Sequence, residues 1–231
     1  MYLEINEINL YYEEYGPDDS DAVIFLHGNG GSMRTFERTK ELFLKGYKVV
    51  LIDSRGHGKS IYDGSISIPM IAADLAAFVT AKGFRDISLV GYSDGGNVAL
   101  EAAAMLGGNV KKLIAIGANT RLDGMKWFCT AGVKMSCGIY SALAFTKKYK
   151  EKKRLYQIML KQPEITDEKL SNITAKTLIV AGENDMIKDG HTREIASKIK
   201  GAELKIVAGG NHFLFSKRNG EINAIIKEFL S

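Results

Sequence analysis

The stretch GYSDGG, residues 91–96, constrains this chain more than any other. The apolar, β-branched run DISLV (86–90) precedes it and reads as a short buried strand. NVALEAAAML follows it, with helical composition and spacing. Ser93 therefore stands on a strand-to-helix turn, with Gly91 and Gly95 two residues to either side. A serine pushed up out of a sheet needs a very tight turn, and side chains two residues before and after it would collide across that turn. Glycine removes the collision and tolerates unusual backbone angles. The helix that follows aims its free N–H groups at the serine and favours negative charge there. Gly-x-Ser-x-Gly between a strand and a helix makes Ser93 a candidate nucleophile.

The rest of the chain repeats the same rhythm. Residues 2–15 read as two antiparallel strands, and GPDDSD (16–21) as a turn. AVIFLHG (22–28) is a buried strand entering the glycine-rich loop NGGS, and MRTFERTKELFLKG (33–46) is expected to be an amphipathic helix. YKVVLID (47–53) is a strand, followed by SRGHGKS. Pro69 opens a helix that closes at Gly83. Further strands are expected at 110–118, 175–185 and 202–210, with helices REIASKIKG and EINAIIKEFL. Alternating strands and helices, with several strands apolar throughout, imply a mostly parallel sheet covered on both faces. Ligands in such sheets bind beyond the carboxyl ends of the strands. HGNGG, Asp53 with RGHG, Ser93, GEND (182–185) and GGNH (209–212) all stand at those ends.

Residues 119–171 break the rhythm with about fifty residues that read as helices. They are expected to form a cap over the carboxyl rim. Its apolar residues Trp127, Phe128, Met135, Ile139 and Leu143 are expected to pack inward and to line an acyl pocket. Its basic run KKYKEKKR (147–154) is expected to be a solvated face. The chain of 231 residues, 45% hydrophobic, suits one domain with a core at 1–118 and 172–231.

A nucleophilic serine needs a general base, and the base needs an orienting acid. Of four histidines, His212 follows the last strand in a glycine loop and is the preferred base. His27 is expected to shape the glycine loop, His57 to line the pocket, and His191 to be solvated at a helix start. Asp185 is the preferred acid, with Asp53, Asp94 and Glu183 as alternatives. The order Ser…Asp…His is the one this turn requires. The Asp94 side chain reads as a favourable charge in the first helical turn, and its backbone N–H as one oxyanion donor. The second donor is expected from HGNGG, at Asn29, with Gly30 next.

Taken together, HGNGG, DSRGHGKS, GYSDGG, GENDMI and GGNHF resemble, in order and nearly end to end, the α/β-hydrolase superfamily, in particular its small capped serine hydrolases. The resemblance implies an α/β-hydrolase fold: a mostly parallel eight-stranded sheet with helices on both faces and a small helical cap. It implies the triad Ser93, Asp185 and His212, an oxyanion hole of Asn29 and Asp94, and ester hydrolysis of a small acyl substrate without cofactor or metal. Acyl transfer and C–C cleavage by the same triad are the alternatives, followed by a non-catalytic ligand receptor. Ser93 argues against the superfamily branches that use an aspartate nucleophile. Asp94 departs from the uncharged residue common among relatives and puts a preference for anionic substrates in doubt.

A net charge of +4 is too small to argue for nucleic acid as a partner. Cys129 and Cys137 suggest a reducing compartment rather than a disulfide framework. No run of about 18 apolar residues and no leader pattern is present, so a cytoplasmic protein without stable membrane anchoring is expected. The oligomeric state is not readable.

Overall fold

The computed structural model describes residues 1–161 and 165–231. Its strands are β1 (Tyr2–Ile5), β2 (Ile8–Tyr15), β3 (Ala22–Leu26), β4 (Lys48–Ile52), β5 (Ile87–Tyr92), β6 (Val110–Ile116), β7 (Lys176–Asn184) and β8 (Glu203–Asn211). Its helices are α1 (Glu37–Lys40), α2 (Ile68–Lys82), α3 (Asp94–Leu106), α4 (Trp127–Ala142), α5 (Lys147–Leu160), α6 (Asp167–Ser171), α7 (Asp189–Lys198), α8 (Leu214–Lys217) and α9 (Asn219–Leu230). The strands form one eight-stranded sheet in the order β1-β2-β4-β3-β5-β6-β7-β8. β2 runs antiparallel to both β1 and β4, and every pairing from β4 to β8 is parallel.

The continuous apolar runs of the central strands follow from burial on both faces. In β3, Ile24 and Leu26 enter a core shared with α2, α3 and α7, while Val23 and Phe25 enter a second core with Phe36, Phe43 and α9. Each fully buried side chain of this size contributes about 1.5–3 kcal/mol. β3 pairs with β4 on one side and β5 on the other, so the winding direction reverses between β3 and β5. The loops after β3 and β5 therefore leave the sheet side by side, where ligands of such sheets bind.

Helix α2 keeps its predicted limits. The Ser67 hydroxyl accepts from the Met70 N–H, Pro69 sits in the first turn, and Gly83 ends the helix at φ +66°. The segment 33–46 is not one amphipathic helix. It is a 3₁₀ turn (Met33–Phe36), the single turn α1, and further turns to Gly46. Its buried residues Met33, Phe36, Thr39, Lys40 and Phe43 keep one face of these turns against the body. Helix α7 begins at Asp189, four residues before the start read from the sequence, and α8 had no sequence signal.

Between β6 and β7 the chain forms a 3₁₀ turn (Leu122–Gly124), α4, α5 and α6. Residues 162–164 of the expected 119–171 cap lie outside the described residues. The start of α4 is pinned beside the loop after β7: Met125 bridges to Ile187, and Lys126 N–H donates to Met186 O at 2.9 Å. The carboxyl half of α5 lies on the loop after β3, where Leu155 O accepts from Asn29 Nδ2 at 2.7 Å and Ile158 joins the core. The expected inward packing of the α4 apolar residues is not what the structure has. Trp127, Phe128, Met135 and Ile139 are all exposed and only Val133 of the helix is buried, because α4 rests on the body through the opposite side. Leu143 is half-buried. No helix among the described residues is long and apolar enough to cross a membrane.

Candidate active site

Ser93 has φ 57° and ψ −124°, a left-handed conformation that costs a non-glycine residue on the order of 1–3 kcal/mol. Bonds on both sides hold it there: Ser93 N–H donates to Ile116 O, and Gly96 N–H to Ser93 O, each at 2.7 Å. The glycines are needed sterically. A Cβ at Gly91 would run into the Gly95 carbonyl, and one at Gly95 into the Leu26 carbonyl. Gly28 is a third such position, since a Cβ there would lie 3.0 Å from the Ser93 Cβ. Gly28 belongs to the HGNGG loop, whose small residues let the backbone approach the serine.

The structure brings Ser93, His212 and Asp185 together from β5, β8 and β7. His212 Nε2 lies 2.9 Å from Ser93 Oγ, and Nδ1 lies 2.8 Å from Asp185 Oδ1. A carboxylate only accepts, so Nδ1 carries the proton and Nε2 is free to accept from the serine hydroxyl. Burial alone would raise the Asp185 carboxyl, but its hydrogen bond and charge interaction with His212, then backbone N–H groups of Ile187 and Gly182, hold it below its ordinary value. It stays ionised against the imidazole.

Two further residues position the histidine, and neither was singled out from the sequence. Gly117, at φ +63°, leaves room for the ring; a Cβ there would stand 3.0 Å from His212 Cε1. The Tyr92 hydroxyl donates to His212 O at 2.9 Å. Burial, and then the Asp185 charge, push that phenol up to about 12, so it remains a donor. Gly117 follows directly on an unremarkable strand and Tyr92 is separated from His212 by 119 intervening positions, so no local pattern points to either.

The alternative acids serve elsewhere. Asp53 Oδ1 accepts from Met33 N–H and Oδ2 from Lys59 N–H, both at 2.8 Å, which fixes the loop after β4. Glu183 accepts from Gly209 N–H at 2.7 Å. Asn29 sits in the loop against the serine, its amide committed to Leu155 O and, at 3.2 Å, to His57 Nε2. His27 donates from Nδ1 to Gly28 O at 2.8 Å and accepts Ser54 N–H at 3.1 Å, with burial lowering it to about 4. It shapes the loop as a neutral ring. His57, also lowered to about 4 by burial and then by its neighbour His27, lines a cavity with Asn29, Ser54, Asp94, Val98 and Ile158.

One reading is qualified and another corrected. The Asp94 side chain, read as a favourable charge in the first helical turn, does stand in the first turn of α3, but it is 8% exposed and turns into that cavity. Its Oδ1 accepts from Asn97 Nδ2 at 3.4 Å, while Oδ2 meets no donor among the described residues. Burial raises it to about 6, an effect the His212 charge partly opposes. Its backbone N–H begins α3, among the first helical N–H groups that have no partner inside the helix. His191 is not solvated: because α7 starts early, His191 lies inside it, 4% exposed, accepting Thr120 N–H at 3.1 Å and tying α7 to the segment after β6. Among the described residues no cluster of three or more His, Cys, Asp or Glu side chains is arranged to hold a metal ion. Cys129 and Cys137 are free thiols on α4.

A family model described as the alpha/beta hydrolase fold matches residues 21–133. The chain is 29% identical to human serine hydrolase BPHL over 99% of its own length and 85% of the relative's. It is 25% identical to proline iminopeptidase PfmaB of Pestalotiopsis fici, over 99% of this chain and 98% of the relative. Among solved structures, an alpha/beta hydrolase enzyme from a Medee basin deep-sea metagenome library superposes with a TM-score of 0.88 at 17% identity, covering 100% of this chain and 97% of the other.

Proposed function

We propose that this chain, which belongs to the α/β-hydrolase superfamily, is a serine hydrolase that cleaves a carboxylic ester or related acyl bond of a small molecule through an acyl-enzyme. The observation that carries the reading is the continuous chain from Asp185 through His212 to Ser93 at 2.8 and 2.9 Å, ending on a serine held at φ 57°. Its relatives named as a serine hydrolase and an iminopeptidase share the same class of acyl chemistry by their names.

In the proposed reaction His212 Nε2 takes the Ser93 hydroxyl proton as Oγ attacks the acyl carbon. Asp185 holds the imidazole in the Nδ1–H tautomer and stabilises the cation. Backbone N–H groups of Asn29 and Asp94 face the developing oxyanion; one such donor is worth roughly 3–4 kcal/mol where measured. The imidazolium returns its proton to the leaving alcohol. Water then attacks the acyl-enzyme with His212 again as base, and Oγ leaves with that proton. The Asp94 carboxylate in the adjoining cavity disfavours acyl groups that carry negative charge.

Turnover of p-nitrophenyl acetate and labelling by a fluorophosphonate test the reading, each on wild type and Ser93→Ala. The expected result is label and turnover in wild type and neither in the variant, with the same melting temperature. Hydrolysis by Ser93→Ala at the wild-type rate would overturn the assignment. Labelling without ester turnover would shift the reading to acyl transfer or C–C cleavage.

A further inference from the structure

The outward side of α4 carries four of the large apolar side chains that are exposed among the described residues. Phe128, Ala131, Met135, Ile139 and Ala142 are spaced three or four apart and form one stripe along the helix, with Trp127 beside Phe128 at its start. Trp127 is 79% exposed, Met135 66% and Ile139 50%, and Phe145 in the following turn is 75% exposed. The rings of Trp127 and Phe128 meet each other at 6.0 Å. A helix at a protein surface ordinarily turns its large apolar side chains inward. Here the inward side is the lesser one, with Val133 buried and Cys129 half-buried over Met125 and Ile187. Exposed apolar surface of this extent marks an interaction site.

The charge beside the stripe identifies the partner. Residues 147–154, KKYKEKKR, hold six cations and the single carboxylate of Glu151, a net +5 in a chain whose total is +4. All other residues together therefore carry −1, and the excess positive charge of the molecule is concentrated next to this stripe. Lys147, Lys148, Lys150 and Lys152 are exposed. The two helices are joined at the junction by stacked rings of Tyr140 and Tyr149, with Lys152 Nζ 5.2 Å from the Tyr140 centroid. An apolar stripe containing Trp and Phe, flanked by a lysine cluster, has the composition of a surface that lies in the interface of an anionic membrane. A second copy of this chain fits poorly: packing stripe on stripe would bring two +5 runs together, whereas anionic headgroups attract the same charge.

We propose that the outer face of the cap docks reversibly on an anionic phospholipid membrane. Trp127, Phe128, Met135, Ile139 and Phe145 enter the headgroup boundary, and the exposed lysines of α5 neutralise the lipid phosphates. The stripe begins two residues after Met125, which bridges to Ile187, itself two residues beyond Asp185. Docking therefore turns the rim of the candidate site towards the lipid. The proposal does not depend on the assigned chemistry, because the surface includes none of the residues in that site.

Vesicle co-sedimentation of the full chain tests it, using phosphatidylcholine alone and phosphatidylcholine mixed with phosphatidylserine. The mixed vesicles are expected to retain the protein and the neutral ones to retain far less, with binding falling as salt shortens the screening length. Replacing Lys147, Lys148 and Lys150 together by Ser is expected to weaken binding about fivefold per lysine, on the order of 100-fold in all. Combined Trp127→Ser, Met135→Ser and Ile139→Ser is expected to abolish retention at every salt concentration. Both variants should keep the wild-type melting temperature and turnover of a soluble ester. The proposal falls if neither vesicle retains the wild type, or if retention is unchanged in both variants. It also falls if sedimentation velocity shows a dimer that the apolar variant dissociates while vesicles bind nothing, which would assign the face to a second copy.

Discussion

Replacing Asp94 by Asn isolates the cost of burying a carboxylate beside the candidate nucleophile. The Asp94 carboxyl is raised from 3.8 to about 6 by burial. That gap corresponds to about 3 kcal/mol between ionised and neutral forms in the fold. The sign follows from which state holds the proton. The unfolded chain loses it near pH 4 and the folded chain near pH 6. Folding is unpenalised below about pH 4, loses stability as pH rises from 4 to 6, and bears the full cost above. Asn has nearly the same shape, can accept the Asn97 amide as Asp94 Oδ1 does, and never ionises. Asp94→Asn should therefore match wild type near pH 4 and exceed it by up to ~3 kcal/mol at pH 8. Urea unfolding of both proteins across that range measures the difference. A gap that does not change with pH, or an Asn variant less stable at pH 8, would refute the argument. A stabilised variant that turns over ester more slowly would identify the carboxylate as a group kept for function at a cost in stability.

Asp185→Asn should preserve the site's shape but favour the wrong His212 tautomer, lowering kcat about 10⁴-fold. Asp53→Asn, whose carboxylate instead holds the Met33 and Lys59 N–H groups, should lower the melting temperature with a far smaller kinetic loss; the reverse pattern would move the acid. Gly117→Ala should cost roughly 1–3 kcal/mol of strain and displace the His212 ring, reducing kcat with the fold retained. Unchanged kinetics would remove Gly117 from the positioning residues. Asp74→Ala would strand Arg55, whose guanidinium bonds both Asp74 oxygens at 2.6 and 2.7 Å in a pair no more than 5% exposed. Loss of one partner of such a pair costs about 3–5 kcal/mol, and a urea-measured loss below about 1 kcal/mol would contradict that accounting.

Chain-local rules were enough to read the strand–helix alternation, the glycines around Ser93 and the limits of α2. Each depends on neighbours a few residues apart: collision across a turn, a hydroxyl capping a helix, a run of β-branched residues. Parallel pairing followed from strands apolar on both faces, and the rim residues followed from where those strands end. The fate of individual side chains was not legible in the same way. Asp94 reads locally as a favourable charge at a helix start, and only the packing of the loop after β3 and of α5 over it shuts out the solvent. His191 became buried because α7 starts four residues early and rests on the segment after β6. Gly117 gains its role from His212, 95 positions away in sequence. The α4 stripe has a helical period that tells where one face lies but not which way it turns. That was decided by Met125, Val133 and Ile187 packing together, which sets the small side of the helix on the body and leaves its aromatic and aliphatic side in the open.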